Sequence, residues 1–388
     1  MTGETSFDEP PQGAGVQPIS DRRLAMLHEA YGIRQRRPRG VSDPLVRKAI
    51  EALQAIVEQP HISEDLLAEF FTVAPTPRQS FASGIRLRDE VATGLETAGA
   101  DDQPSLLRNA NDFSRWRRRL HFKKRRDSGD RSPILVAEGD SWFHFPIFLR
   151  DVVVQLSPDH LVWPLGAAGG TLDQMVNGDG PGRTPGYLAA LREWGDFAQA
   201  FLFSGGGNDL IGEGPNGASA ILSFARRFEA GRSAAWHIDT PEFHRKLALY
   251  EATYRHLIAE VGARRPKLPV FIHAYDYVLP CPFHRNDHRR PRWMARDRFF
   301  GSVLPQLGIA EPQLQAAILR HVVDKMNEVQ RKLAGGNVAG GAFAHVFHVD
   351  LRGTLTLNDW ADELHPTNAG YAKITQRFRK VLRAAGVS

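Results

Sequence analysis

A serine hydroxyl becomes a nucleophile only with a base to take its proton and with donors for the oxyanion that forms as it attacks a carbonyl. Ser141 lies in "ILVAEGDSWFHFP" (134–146), where an apolar run enters a tight turn at Gly139 and Asp140. The base is found in "DWADELHPTNAGY", where Asp362 precedes His365 by three residues. One turn of chain brings that carboxylate to the imidazole, which holds the ring in the tautomer whose free nitrogen faces Ser141. Pro366 and a capping Asn368 are expected to steady the loop. Donors come from "LFSGGGNDL" (202–210), where three glycines permit close backbone approach and Asn208 offers an uncharged amide. A second glycine stretch, "GAAGGTL" (166–172), can add a main-chain N–H from Gly169 or Gly170.

These residues must be carried by elements that end together. After position 132 short apolar runs alternate with long amphipathic ones: "PILVAEG" (133–139), "HLVWPLG" (160–166), "AQAFLFSGGG" (198–207), "LPVFIHAYD" (268–276) and "AHVFHVD" (344–350) read as buried strands. Helices are expected over "TPEFHRKLALYEATYRHLIAEVGA", "EPQLQAAILRHVVDKMNEVQRKLA" and "NAGYAKITQRFRKVLRAAG". Such alternation implies a parallel sheet with helices on both faces, and a site outside the carboxyl ends of its strands. Ser141, the two glycine stretches and the loop after the fourth strand, with Tyr275, Asp276 and Tyr277, all fall at such ends.

Four short blocks in this order, "GDSW" (139–142), "GAAGGT" (166–171), "GGGND" (205–209) and "DELHP" (362–366), resemble the blocks of the SGNH or GDSL-like hydrolases over about residues 132–388. The resemblance implies a three-layer α/β/α fold of flavodoxin type around a five-stranded, mainly parallel sheet, here with a helical N-terminal extension. It also implies a serine esterase or acylhydrolase with Ser141 as nucleophile, His365 as base and Asp362 orienting it. The Ser141 amide, Gly169 and Asn208 would form the oxyanion hole. Asp140, Trp142, Gly170, Gly207, Tyr275 and Asp276 are candidate substrate-lining residues, and neither a cofactor nor a metal is called for. Two departures from the pattern stand out: Trp142 replaces the usual leucine, and the second block lacks the asparagine often found before its glycine.

Competing motifs fail. A dinucleotide fingerprint would need glycine where Leu210 stands, and the α/β-hydrolase elbow would need glycine where Phe143 stands. His273, Asp276, His284, Asp287 and His288 include metal-ligand types, but such residues more often line a loop. Asp359 is a second partner for His365, at the cost of a longer excursion. Trp142, Phe143, His144 and Phe145 are read as packing for at least two of the four, otherwise as an apolar wall for an acyl or aromatic group.

The chain has 388 residues, 42% of them hydrophobic, enough for one large domain with an appendage or for two domains. Cys281 is the single cysteine, so no internal disulfide or thiol pair can form. The polar, acidic N-terminus lacks the features of a secretory leader, and no window reaches the length of a membrane span, so a cytoplasmic protein is expected. Residues 1–20 read as a disordered tail and 21–131 as a helical, basic region ending in a linker over 96–132. Helices are expected at "DPLVRKAIEALQAIVEQ" and "SEDLLAEFF". Net charge is +5, and cations are densest in "RWRRRLHFKKRR", Arg115–Arg126. That run is the basis of an alternative: binding of nucleic acid or an anionic surface, with a vestigial hydrolase domain. Segments near 212–240 and 280–310 read as insertions over the strand ends that would set the choice of ester, on a small molecule or a polymer.

Overall fold

In a computed structural model of the chain, the residues described are 71–76, 79–87, 110–145, 149–178, 183–212, 219–287, 289 and 300–387. The tail over 1–20 and the helices expected before Phe71 lie outside them. The chain divides into two compact units, Met1–Phe70 with Leu87–Asp102, and Phe71–Arg86 with Gln103–Ser388. Apart from Leu87, the described residues belong to the second.

Five parallel strands form the central sheet: β3 (Ile134–Gly139), β4 (Leu161–Pro164), β5 (Ala198–Ser204), β6 (Val270–His273) and β7 (Val346–His348), in the order β4-β3-β5-β6-β7. They follow β1 (Phe71–Thr76) and β2 (Gln79–Leu87), a separate two-stranded sheet. Helical periodicity was expected over 71–87, yet Phe, Thr and Val favour strands and Pro75 and Pro77 interrupt any helix there. The five core strands occupy the five apolar runs; β3 ends with its run at Gly139, and the other four end two or three residues earlier, where the chain turns out of the sheet. Leu135, Val136, Phe201, Leu202, Phe203, Val270, Phe271 and Ile272 are fully buried, as a strand covered on both faces requires.

The helices are α1 (Ala110–Asp127), α2 (Val152–Leu156), α3 (Leu172–Asn177), α4 (Gly186–Trp194), α5 (Gly207–Leu210), α6 (Pro241–Arg264), α7 (Pro312–Leu333) and α8 (Asn368–Ala384). They complete a three-layer α/β/α arrangement: α2 packs with α8, while α6 packs with α3, α4 and α7. Among the described residues no helix is long and apolar enough to cross a membrane.

Helix α1 occupies about half of the stretch that reads as a linker. It packs on β4, and Phe122 sits edge-on against Trp163 and Trp194, with centroids 5.2 and 4.9 Å away. Its high charge density hides a buried line of Asn111, Ser114 and Phe122, the last two three and eleven residues after the first.

Register sets where the chain leaves the sheet. Gly139 of β3 pairs with Ser204 of β5, and Ser204 pairs with His273 of β6. Asp140, Gly205 and Ala274 therefore leave the sheet side by side. The close approach at this row needs glycine, since a Cβ on Gly139 would lie 2.8 Å from that of Ser204.

Candidate active site

Ser141 sits in the turn after β3, fixed from below by Asp140, whose carbonyl accepts from the Phe143 and His144 amides at 3.0 and 2.9 Å. From the opposite end of the chain, His365 Nε2 lies 2.8 Å from Ser141 Oγ. His365 Nδ1 faces Asp362 Oδ2 at 2.8 Å, so with Nδ1 protonated the ring presents a lone pair to the serine. Asp362 is itself held by the Leu364 and His365 amides, at 2.7 and 2.6 Å. Ser141, Asp362 and His365 are 8%, 2% and 2% exposed, and of the three Ser141 and His365 line the cleft while Asp362 lies behind them. Asp359, the alternative partner, instead binds Lys373 at 2.7 Å and caps the turn after Thr356. Thr367 caps α8, where Asn368 was expected to; Asn368 is the first helical residue and its Oδ1 accepts from the Arg150 amide at 2.8 Å.

The glycines after β5 each answer a close neighbour. Gly206 has φ +97°, and a Cβ there would fall 2.2 Å from the Tyr250 ring. Their turn starts α5 and sets Asn208 toward the cleft, where its Nδ2 donates to the Gly170 carbonyl at 2.8 Å and keeps a second N–H. In the loop after β4, Gly169 has φ +82° and Thr171 caps α3. The Gly170 N–H is engaged by the Ala167 carbonyl at 3.0 Å. Among the described residues the Gly169 and Ser141 amides donate to no acceptor.

The cleft beside Ser141 is lined by Asp140, Trp142, Gly207, Asn208, Tyr275 and His365, and also by Ile211, Gly212, Val278 and Leu364. Of the residues singled out as lining, Gly170 and Asp276 lie outside it. Asp276 instead accepts from the Tyr277, Gly353 and Leu355 amides at 2.7, 2.6 and 2.7 Å and so ties two loops together. Sequence patterns had no means of finding Ile211, Val278 or Leu364, since apolar residues in loops carry no period. The four aromatic positions are all packing: Trp142, Phe143, His144 and Phe145 are 7% exposed or less, although Trp142 also borders the cleft. Phe145 stands edge-on to the His365 ring at 4.8 Å, and Trp142 Nε1 donates to the Leu364 carbonyl at 3.1 Å.

Carboxylates lie behind Ser141 as well. Asp140 accepts from the Trp142 amide at 3.1 Å, from Ser204 Oγ at 2.9 Å and from the Tyr275 hydroxyl. Tyr275 in turn accepts from the Gly207 amide at 2.9 Å, so one phenol joins the nucleophile turn to the Asn208 turn. Burial raises the Asp140 carboxyl above the usual range and pushes Asp209, which accepts from the Leu172 amide at 3.0 Å, up to about 6.

Among the described residues no group of three or more His, Cys, Asp or Glu side chains is placed to hold a metal ion. Burial drives His273 down to about 3, and it stacks on Phe143. Asp287 pairs with Arg289 at 2.6 Å, and despite its burial that pairing holds it at about 2. His284 accepts from the Asn286 amide, and His288 lies outside the described residues.

Two charged grips flank Ser141, Asp362 and His365. The first comes from α1, where Arg115 donates to the Leu165 and Gly166 carbonyls at 2.7 and 3.2 Å, and Arg119 to that of Pro164 at 3.0 Å. Arg118 pairs with buried Asp151 at 2.8 Å and donates to the Phe145 carbonyl at 3.2 Å. Arg126 lies over the Trp194 ring at 4.6 Å. The second comes from Glu363, next to Asp362; the Glu363 carboxylate accepts from the amides of Cys281, Phe300 and Gly301. Arg289 adds a bond to the Asp362 carbonyl at 3.3 Å.

No family model matches the chain, and no curated protein matches it. Solved structures do. Phospholipase A1 from Streptomyces albidoflavus is 11% identical, with a TM-score of 0.37 over 64% of this chain and 99% of that one. The extracellular lipase from Streptomyces rimosus is 14% identical, with a TM-score of 0.36 over 66% and 100%. A carbohydrate esterase of family 3 from Talaromyces cellulolyticus is 13% identical, with a TM-score of 0.32 over 66% and 99%.

Proposed function

We propose that the protein is a serine hydrolase of carboxylic esters. The observation that carries this reading is the relay itself, with Ser141 Oγ 2.8 Å from His365 Nε2 and His365 Nδ1 2.8 Å from Asp362. Ser141 Oγ attacks the ester carbonyl while His365 Nε2 takes its proton. The resulting oxyanion is met by the Ser141 amide, the Gly169 amide and Asn208 Nδ2. His365 then returns the proton to the departing alkoxide, which leaves as the alcohol. Water, deprotonated by the same imidazole, cleaves the acyl-enzyme to the acid and restores the serine. Asp362 stabilises the imidazolium that forms in both halves.

Gly169 is favoured over Gly170 as donor because the Gly170 N–H already serves Ala167. The cations of α1 support the same reading over a separate anionic partner: Arg115, Arg118, Arg119 and Arg125 all donate to main-chain carbonyls of the α/β domain.

A fluorophosphonate probe tests the relay. Wild type should be labelled at Ser141 alone, and Ser141→Ala should lose both labelling and turnover of p-nitrophenyl acetate, with circular dichroism unchanged. A folded wild type that neither labels nor turns over would falsify the reading.

A further inference from the structure

The loop from Leu165 to Gly170 has almost every carbonyl held, and from different sides. Arg115 takes those of Leu165 and Gly166, the Gly170 amide takes that of Ala167, and Asn208 takes that of Gly170. The carbonyl of Ala168 is taken by Asn111 Nδ2 at 3.1 Å, and the amide of the same residue donates back to Asn111 Oδ1 at 2.9 Å. Asn111 lies on α1, 57 residues earlier in the chain, and is 6% exposed.

The Ala168 carbonyl and the Gly169 N–H belong to one peptide unit. A trans peptide is planar, so its C=O and N–H point in opposite directions. A donor fixed on the Ala168 oxygen therefore fixes the direction of the Gly169 N–H on the far side of that plane. Glycine at φ +82° lets the chain turn immediately afterwards, and among the described residues that N–H has no acceptor.

We propose that Asn111 is a positioning residue that aims the Gly169 amide at the developing oxyanion. This rests on the ester-hydrolase reading. Asn111 touches neither substrate nor the reacting atoms; it acts through the peptide it holds. Its two bonds have different weight. The acceptor bond from the Ala168 amide anchors the loop, whereas the donor bond to the Ala168 carbonyl sets the Gly169 N–H.

The test uses the full-length protein with p-nitrophenyl acetate and a fluorophosphonate probe. Asn111→Ala should lower kcat by about ten- to a hundredfold, somewhat less than outright removal of an oxyanion donor, with KM within about twofold of wild type. The rate of phosphonylation should fall in step, since it passes through the same charge. Asn111→Asp keeps the side-chain volume and the acceptor but lacks the donor, so it should match Asn111→Ala in kcat. It also reads the effect if the alanine variant fails to fold. Arg125→Ala is the control, because its bonds from the same helix go to Asp130 and the His160 carbonyl, away from the cleft. It should lower the melting temperature and leave kcat alone.

A kcat for Asn111→Asp within about twofold of wild type overturns the proposal, as does an equal kcat loss in Arg125→Ala. Neither outcome touches the ester-hydrolase reading while wild type stays active. A folded wild type that neither labels nor turns over overturns both.

Discussion

Helix α1 and the loop Asp362–His365 hold the site from two sides with opposite charges. On α1 the charges are cationic and meet carbonyl oxygens: Arg115 and Arg119 grip the end of β4 and the loop beyond it, and Arg118 grips the turn after the nucleophile. At the other side one anion, Glu363, collects three amides from the segment near 280–301. Both use charge, fully buried at Glu363 and partly buried on α1, to organise main chain beyond the sheet ladder. The difference is in reach. Glu363 adjoins Asp362 and ties Cys281, Phe300 and Gly301 to the Asp362–His365 loop, whereas α1 comes from outside the sheet and holds the Leu165–Gly170 loop. A dense run of arginine in a sequence can therefore be internal scaffolding.

The comparison breaks first at the chemistry both grips serve. Asp362→Asn should lower kcat by about four powers of ten with little change in folding, because the wrong imidazole tautomer faces Ser141. Steady-state kinetics beside a thermal melt checks this, and a loss under tenfold would mean that Asp362 does not orient His365.

Next come the grips themselves. Glu363→Ala removes the acceptor of three amides, two of them buried, and should cost about 3 kcal/mol in denaturant unfolding. Arg118→Ala leaves Asp151 without its cation and should cost about 3 kcal/mol. The two differ in flexibility: proteolysis should open the chain beside Cys281 and Gly301 in the first variant and the turn over Phe143–Phe145 in the second.

Tyr275→Phe removes the hydroxyl between Asp140 and Gly207 and should reduce kcat by about tenfold, roughly one hydrogen bond to a charged group. A change in KM alone would assign Tyr275 to substrate contact.

The smallest effect is in pH. Asp209 is raised from 3.8 to about 6, so the folded state binds its proton more tightly than the unfolded chain does. Its contribution is present below 3.8 and is lost as pH rises through about 6. Asp209→Asn keeps an acceptor for the Leu172 amide and should flatten that part of the curve of melting temperature against pH.

Much of the fold was legible because its signals are local. Five apolar runs became five strands, and the helices over Pro241–Arg264, Pro312–Leu333 and Asn368–Ala384 match their amphipathic stretches to within two residues. Four of the five strand ends were overcalled, because residues such as Leu165, Ala274 and Tyr275 extend an apolar texture into loops. Helix α1 was missed because charge dominates its composition, and its inward face shows only as the spacing of Asn111, Ser114 and Phe122.

The sequence by itself determined the chemistry on offer: a serine after a glycine turn, an aspartate three residues before a histidine, and an asparagine after three glycines. Spacing of a few residues is enough to bring Asp362 to His365, because local chain geometry does it. Only the tertiary structure decided that Ser141 meets His365 across 224 residues, that Asp276 is a loop tie, and that Arg115, Arg118 and Asn111 face inward. Those contacts follow from strand register and from helices docking on the sheet, which depend on the whole buried core.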